Sequence, residues 1–338
     1  MNGYERINKA LCGEHPDQIP VMLHNFQMAA HEAGFSMAEF RNNPKNIFTT
    51  FVQAIETYHY DGILVDIDTA TLAGAMGVPV DFPENDPARV HDPLLKELDQ
   101  FQFLENVEVE KYRSVQIWCE AVAMLKDYFK DEIYVRGNCD QAAFSLASML
   151  RTPQEWMIDL MTAEEKALQL LEICTGITIQ FIEAMARTGC DMVSNGDSSA
   201  GPEMISPEMY KKFALPFEQR IVEAAHRAGV AYTLHICGDT TKILEPMVES
   251  GADAIELDYK TDTQAACKTF AGKVTFIGNV DPSGILALGS VEDVERETRK
   301  LLEIFSGNPR LIVNAGCSIP PATPQKNLEA LIKTARNG

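Results

Sequence analysis

Short apolar or β-branched runs alternate along the chain with amphipathic stretches long enough for a crossover helix, the pattern of a parallel sheet. Eight runs carry it: Gln18–Leu23, Gly62–Ile67, Glu132–Gly137, Asp191–Ser194, Ala231–Ile236, Ala254–Leu257, Val274–Ile277 and Leu311–Asn314. Eight parallel strands with helical crossovers predict an α/β fold closed into a (β/α)8 TIM barrel, because that strand number leaves an interior that side chains just fill. Helix ends are legible between the runs. Ser206, Pro207 and Glu208 offer a cap, a first-turn proline and an early carboxylate for a helix over Met209–Arg227, which Gly229 closes. Thr323 and Pro324 open a last helix, Gln325–Arg336. The stretch 82–129 exceeds what one βα unit requires and is predicted to be an insertion or subdomain over the barrel mouth. Residues 1–338 are otherwise read as one barrel domain, a length such barrels commonly reach.

Chemistry in these barrels sits at the carboxyl ends of the strands, so the polar residues just beyond each run are the candidates. They are His24 and Asn25, Asp66 and Asp68, Asn138 to Asp140, Asn195 and Asp197, His235 and Cys237, Asp258, Asn279 and Asp281, and Cys317. Two cysteines, two histidines and several carboxylates thus fall on one predicted rim. His235 and Cys237 end the fifth run, and strand alternation sends both to the same side, close enough to bind one ion. Gly238 then lets the chain turn. Cys317 follows Gly316 at the end of the eighth run, where a barrel brings it across the mouth. Sulfur and imidazole donors favour zinc over magnesium or calcium, and three protein ligands leave a fourth position for chemistry.

Around this trio the assignments are looser. Asp239 either orients His235 or caps the helix that follows. Asp197, Asn279 and Asp281 are candidates to line the pocket, with Asp281-Pro282 favoured as a cap. His24, with Asn25, and His31 are candidates to face a substrate, although a lone histidine is more often a satisfied structural residue. Tyr210 and Phe213 sit at helical spacing, and packing explains them.

Composition narrows the partners. Hydrophobic residues make up 46% and charged residues 23%, enough for a sizeable core. The formal net charge of −20, with no basic cluster, repels nucleic acid and anionic membranes. The amino terminus, Met1 to Gly13, is polar and the apolar runs are short, so no membrane span or export is expected. Eight cysteines scattered over a long chain read as reduced thiols of a cytoplasmic protein. Cys119, Cys174, Cys190 and Cys267 lie in apolar contexts as small buried hydrophobes.

Four motifs carry a resemblance: Ser-Pro-Glu-Met-Tyr-Lys-Lys-Phe at 206–213, His-Ile-Cys-Gly-Asp at 235–239, Ile-Gly-Asn-Val-Asp-Pro at 277–282 and Gly-Cys-Ser-Ile-Pro-Pro-Ala-Thr-Pro at 316–324. From about Tyr4 onward the chain resembles the uroporphyrinogen decarboxylase superfamily, and within it the zinc-dependent methyltransferases of corrinoid systems. In that branch a His-X-Cys pair and a distant Cys in a Gly-Cys segment bind zinc, which maps onto His235, Cys237 and Cys317. True decarboxylases carry two substrate-binding arginines near the amino terminus, whereas the stretch from His24 to Gly34 has none. Asp66 matches the decarboxylase aspartate, but a carboxylate alone does not hold a highly anionic porphyrinogen.

The resemblance implies methyl transfer between a corrinoid cobalt and a zinc-activated thiol or a methylated small molecule, in either direction. Methylcobalamin would arrive on a separate carrier protein docked over the rim, since nothing resembles the Asp-X-His-X-X-Gly motif of corrinoid carriers. Two alternatives stand beside it: a metal-free carboxy-lyase acting on uroporphyrinogen, and a non-catalytic zinc or corrinoid-partner binding module.

Overall fold

The computed structural model describes residues 1–337, without the side chains of 102, 103 and 105; the last residue of the predicted 1–338 domain lies outside that description. Its sheet has eight strands: β1 (Met22–Leu23), β2 (Gly62–Val65), β3 (Tyr134–Gln141), β4 (Met192–Gly196), β5 (Ala231–Ile236), β6 (Ala254–Leu257), β7 (Thr275–Val280) and β8 (Leu311–Ala315). Each predicted run overlaps one of them. All neighbours are parallel and in chain order. A parallel bridge between Val21 and Val313 closes the ring into the predicted TIM barrel, helped by the Val313 N–H donating to the Pro20 carbonyl at 2.9 Å.

The period of two along these strands separates a dry floor from a wet mouth. Met22, Tyr134, Met192, Ala254, Ile277 and Ile312 form an apolar cluster with Ile7 and Ala10 of the first helix, Gly3–Cys12. Two residues further along the same faces, Met22 gives way to His24, Tyr134 to Arg136, Ala254 to Glu256 and Ile312 to Asn314. The barrel is therefore plugged at its amino-terminal end and polar towards its carboxyl-terminal end, where a cavity opens.

Crossover helices pack the outside. Pro44–Tyr58 joins β1 to β2, and Arg113–Phe129 joins β2 to β3, where the Trp118 indole N–H donates to the Val65 carbonyl at 3.0 Å. Arg113–Phe129 is the second half of the stretch 82–129 expected to be an insertion. The remainder holds 3-10 turns and one strand of a short antiparallel ribbon, Val80–Asp81 with Arg89–Val90, whose loop brings Pro87 to the cavity. The single helix expected over Met209–Arg227 is two, Pro207–Phe213 and Leu215–Arg227. Pro216 explains the break, because its ring clashes with the preceding turn and it has no N–H to donate.

Glu164–Ala186, between β3 and β4, is long and apolar enough by composition to cross a membrane, which the expectation of only short apolar runs had missed. Leu170, Leu171, Ile177, Phe181 and Ile182 on it are buried against the barrel, as in the core helix of a globular domain.

Candidate functional site

Alternation places the side chains that line a cavity of about 270 Å³ at the barrel mouth. From β2 and the loop after it come Leu64, Asp66 and Asp68; from β3, Arg136, Asn138 and Asp140; from β5, His235 and then Cys237; from β6, Glu256. His24 follows β1 and Cys317 follows β8.

His235, Cys237 and Cys317 converge, their donor atoms all within 4.8 Å of one another. Cys237 Sγ lies 3.1 Å from His235 Nε2 and 3.9 Å from Cys317 Sγ. A tetrahedral zinc ion would set two thiolate sulfurs about 3.8 Å apart and a sulfur and an imidazole nitrogen about 3.5 Å apart. The sulfur pair matches and the imidazole sits slightly closer, so the donor set fits one ion. Two glycines make the approach sterically feasible. Gly238 has φ +86°, and a Cβ there would come within 3.0 Å of the Glu203 carboxyl group, while a Cβ on Gly316 would run into the Tyr259 backbone nitrogen.

The electrostatics of the metal-free trio favour a donor cluster. The Cys237 thiol is pulled down to about 3 by the hydrogen bond from Cys317, against burial and with help from His235. That same bond, with burial, pushes the Cys317 thiol above its usual range. Burial lowers the pKa of His235, but the neighbouring Cys237 thiolate and Glu256 outweigh it and raise it to about 9. A metal ion would replace those protons.

His235 Nδ1 donates to the Glu256 backbone carbonyl at 3.1 Å, which leaves Nε2 as the ligand atom. Asp239 does not orient His235. Its carboxylate is exposed and accepts the Thr241 N–H at 3.0 Å, so it caps the turn that follows.

Behind the trio lies a charge pair that sequence reasoning missed. Arg136 and Glu256, both nearly fully buried, are hydrogen-bonded to each other. Burial raises the Glu256 carboxyl, but Arg136, His235 and His24 outweigh it and hold its pKa at about 2. The signal available was one charged residue inside each of two apolar strand runs. Glu256 Oε1 lies 3.8 Å from His24 Nδ1, and His24 Nε2 is 2.7 Å from Asp66 Oδ2. His24 and Asp66 thus form a dyad on the cavity wall, with Asp66 Oδ1 fixed by the Ile67 N–H at 2.8 Å.

Other rim candidates point elsewhere. Asn25 is buried, its Oδ1 accepting from the Tyr60 hydroxyl at 3.4 Å in the core. Asp197 is buried behind β4, where it accepts the Ser145 N–H at 2.7 Å; burial raises its pKa to about 6. Asn279 lines a separate hollow beside β7 and donates to the Asp258 carbonyl at 3.1 Å. Asp281 caps Pro282–Ala287 through the Ser283 and Gly284 N–H groups, as favoured. His31 is exposed on its helix, Phe26–Glu32.

The Uroporphyrinogen decarboxylase (URO-D) family profile matches residues 2–338. The chain is 27% identical over 339 residues to the methylcobamide:CoM methyltransferase MtbA of Methanosarcina acetivorans, covering 98% of this chain and 97% of that protein. It is 33% identical over 243 residues to the MtbA protein of Methanosarcina mazei, covering 72% of this chain and 69% of that protein. Among solved structures, a methyltransferase from Methanosarcina mazei superposes with a TM-score of 0.91 at 21% identity, over 100% of this chain and 99% of the other, a likeness of fold.

Proposed function

We propose, from the premise that this chain belongs to the uroporphyrinogen decarboxylase (URO-D) family, that it is a corrinoid-dependent methyltransferase whose metal centre is His235, Cys237 and Cys317. One observation carries this reading: an imidazole and two thiols meet at the mouth of a cavity with zinc-like spacing and no fourth protein donor within the cluster, among the described residues. His235, Cys237 and Cys317 would hold a zinc ion, which when bound would supply Lewis acidity that lowers the pKa of a coordinated thiol.

The chain's own residues handle binding and the proton. A cavity of about 270 Å³ admits a small thiol or methylated molecule, but a corrin macrocycle is far larger. The corrinoid is therefore assigned to a carrier protein seated on the rim. Asp66 accepts the His24 Nε2–H, which leaves Nδ1 with its lone pair and no hydrogen-bond partner among the described residues. In this reading His24 Nδ1 takes the proton that the thiol sheds, and Asp66 and Glu256 stabilise the resulting imidazolium. In the reverse direction the same atom returns a proton to a leaving group.

Methyl loss from methylcobalamin in the presence of candidate thiols tests the proposal. Asp66→Asn is expected to lower kcat by about 100-fold while zinc content stays that of the wild type. Coproporphyrinogen formed from uroporphyrinogen by the metal-free protein would establish the carboxy-lyase instead.

A further inference from the structure

The cavity has a second polar end that the metal centre and the proton dyad do not use. It is built where β2 and β3 run out, by Asp68 and Asp140. Asp68 is buried and its Oδ1 accepts from the Ala70 N–H and the Thr71 hydroxyl, each at 2.9 Å. Asp140, only 1% exposed, uses Oδ2 to accept the Leu72 N–H at 2.6 Å. Its Oδ1 is buried and has no hydrogen-bond partner among the described residues, although the residue lines the cavity. A buried carboxylate oxygen left without a donor is costly, and a ligand that brings the donor relieves that cost.

The charge balance of the lining says what kind of donor. Four carboxylates line the cavity, those of Asp66, Asp68, Asp140 and Glu256, against one guanidinium, that of Arg136. Arg136 is bonded to Glu256 and Asp66 to His24, so Asp68 and Asp140 are the two lining carboxylates that make no ion pair within the lining. Burial raises the carboxyl pKa of both, each is raised further by a neighbouring carboxylate, and the Arg41 guanidinium outside the lining offsets only part of this at Asp68. A sulfonate or carboxylate placed there would face these acids with no free cation in the cavity lining to receive it.

Resting on the reading of the metal centre as a thiol site, we propose that Asp68 and Asp140 form a subsite for a protonated amine. The small molecule brought to the metal is then an amine-bearing one rather than an anionic thiol. Its ammonium group donates to Asp140 Oδ1, and its sulfur reaches towards His235, Cys237 and Cys317.

Three thiols of equal length separate the alternatives: cysteamine, 2-mercaptoethanol and 2-mercaptoethanesulfonate, which end in an ammonium, a hydroxyl and a sulfonate. Calorimetric titration of each into the zinc-loaded full chain is expected to rank them in that order, with cysteamine about tenfold tighter than 2-mercaptoethanol. Asp140→Asn and Asp68→Asn should each erode that advantage, while an unchanged affinity for 2-mercaptoethanol reports an intact fold and metal centre. Sulfonate binding as tight as that of cysteamine, or an amine preference that survives both substitutions, overturns the subsite. Methyl transfer from methylcobalamin, measured in parallel, separates the two claims. An amine preference in binding with no transfer to any thiol supports the subsite and removes the thiol as methyl acceptor. Equal binding of all three with transfer intact removes the subsite alone, and no binding by any removes both.

Discussion

Cys237→Ala is expected to leave purification without stoichiometric zinc and to lose at least about 100-fold in methyl transfer from methylcobalamin. Substitutions that merely disturb the partners of a metal ligand already cost roughly 10–100-fold, and removing a ligand goes further. Cys237 is the central donor, within 3.1 Å of His235 Nε2 and 3.9 Å of Cys317 Sγ, so its loss leaves an imidazole and one distant thiol. Cys317→Ala should behave alike. Asp239→Ala supplies the control, since its carboxylate is exposed and engaged with Thr241, and metal content and rate should both persist. Metal analysis with initial-rate assays of the three variants checks this, and equal rates in the wild type and both cysteine variants would remove the account.

The largest loss of stability should come from Glu256→Gln. That change strands the Arg136 guanidinium, about 2% exposed, in the barrel without its counter-charge. Breaking one partner of such a buried pair costs about 3–5 kcal/mol, whereas replacing both with apolar residues is often neutral. Denaturant titration of Glu256→Gln and of the double variant Arg136→Met/Glu256→Met separates the two cases. The single change should be much the less stable, and the double change should recover most of the difference. A single variant as stable as the wild type would mean that the pair does not hold the cavity floor together. Because the Glu256 backbone carbonyl also fixes His235 Nδ1, disorder at this position should reach the metal centre.

The barrel was legible because each strand is buried on both faces and reads as a short apolar run, and because the runs keep chain order. His235 and Cys237 were legible through alternation alone, and Cys317 through its place beside Gly316 at the last strand end. Two misplacements lie just past strand ends, where local partners decide the direction: Asp197 turns back to accept the Ser145 N–H, and Asn25 turns to accept from the Tyr60 hydroxyl. Asn279 misled for another reason: Gly278, at φ +137°, departs from ordinary strand geometry just before it, although the strand pairing continues. The pairing of Arg136 with Glu256 was hidden because it joins residues 120 positions apart, a partnership only the closed ring creates. Helix signals failed in one place, where the cap at Ser206 was read through to Arg227 without weighing Pro216.

The most direct test is zinc K-edge X-ray absorption on the purified protein, before and after addition of a small thiol. Two sulfur ligands and one imidazole with a fourth lighter neighbour, changing to three sulfurs once the thiol is present, is the predicted result. A spectrum that shows four fixed protein ligands and does not respond to thiol, or protein that takes up no zinc, would contradict the account.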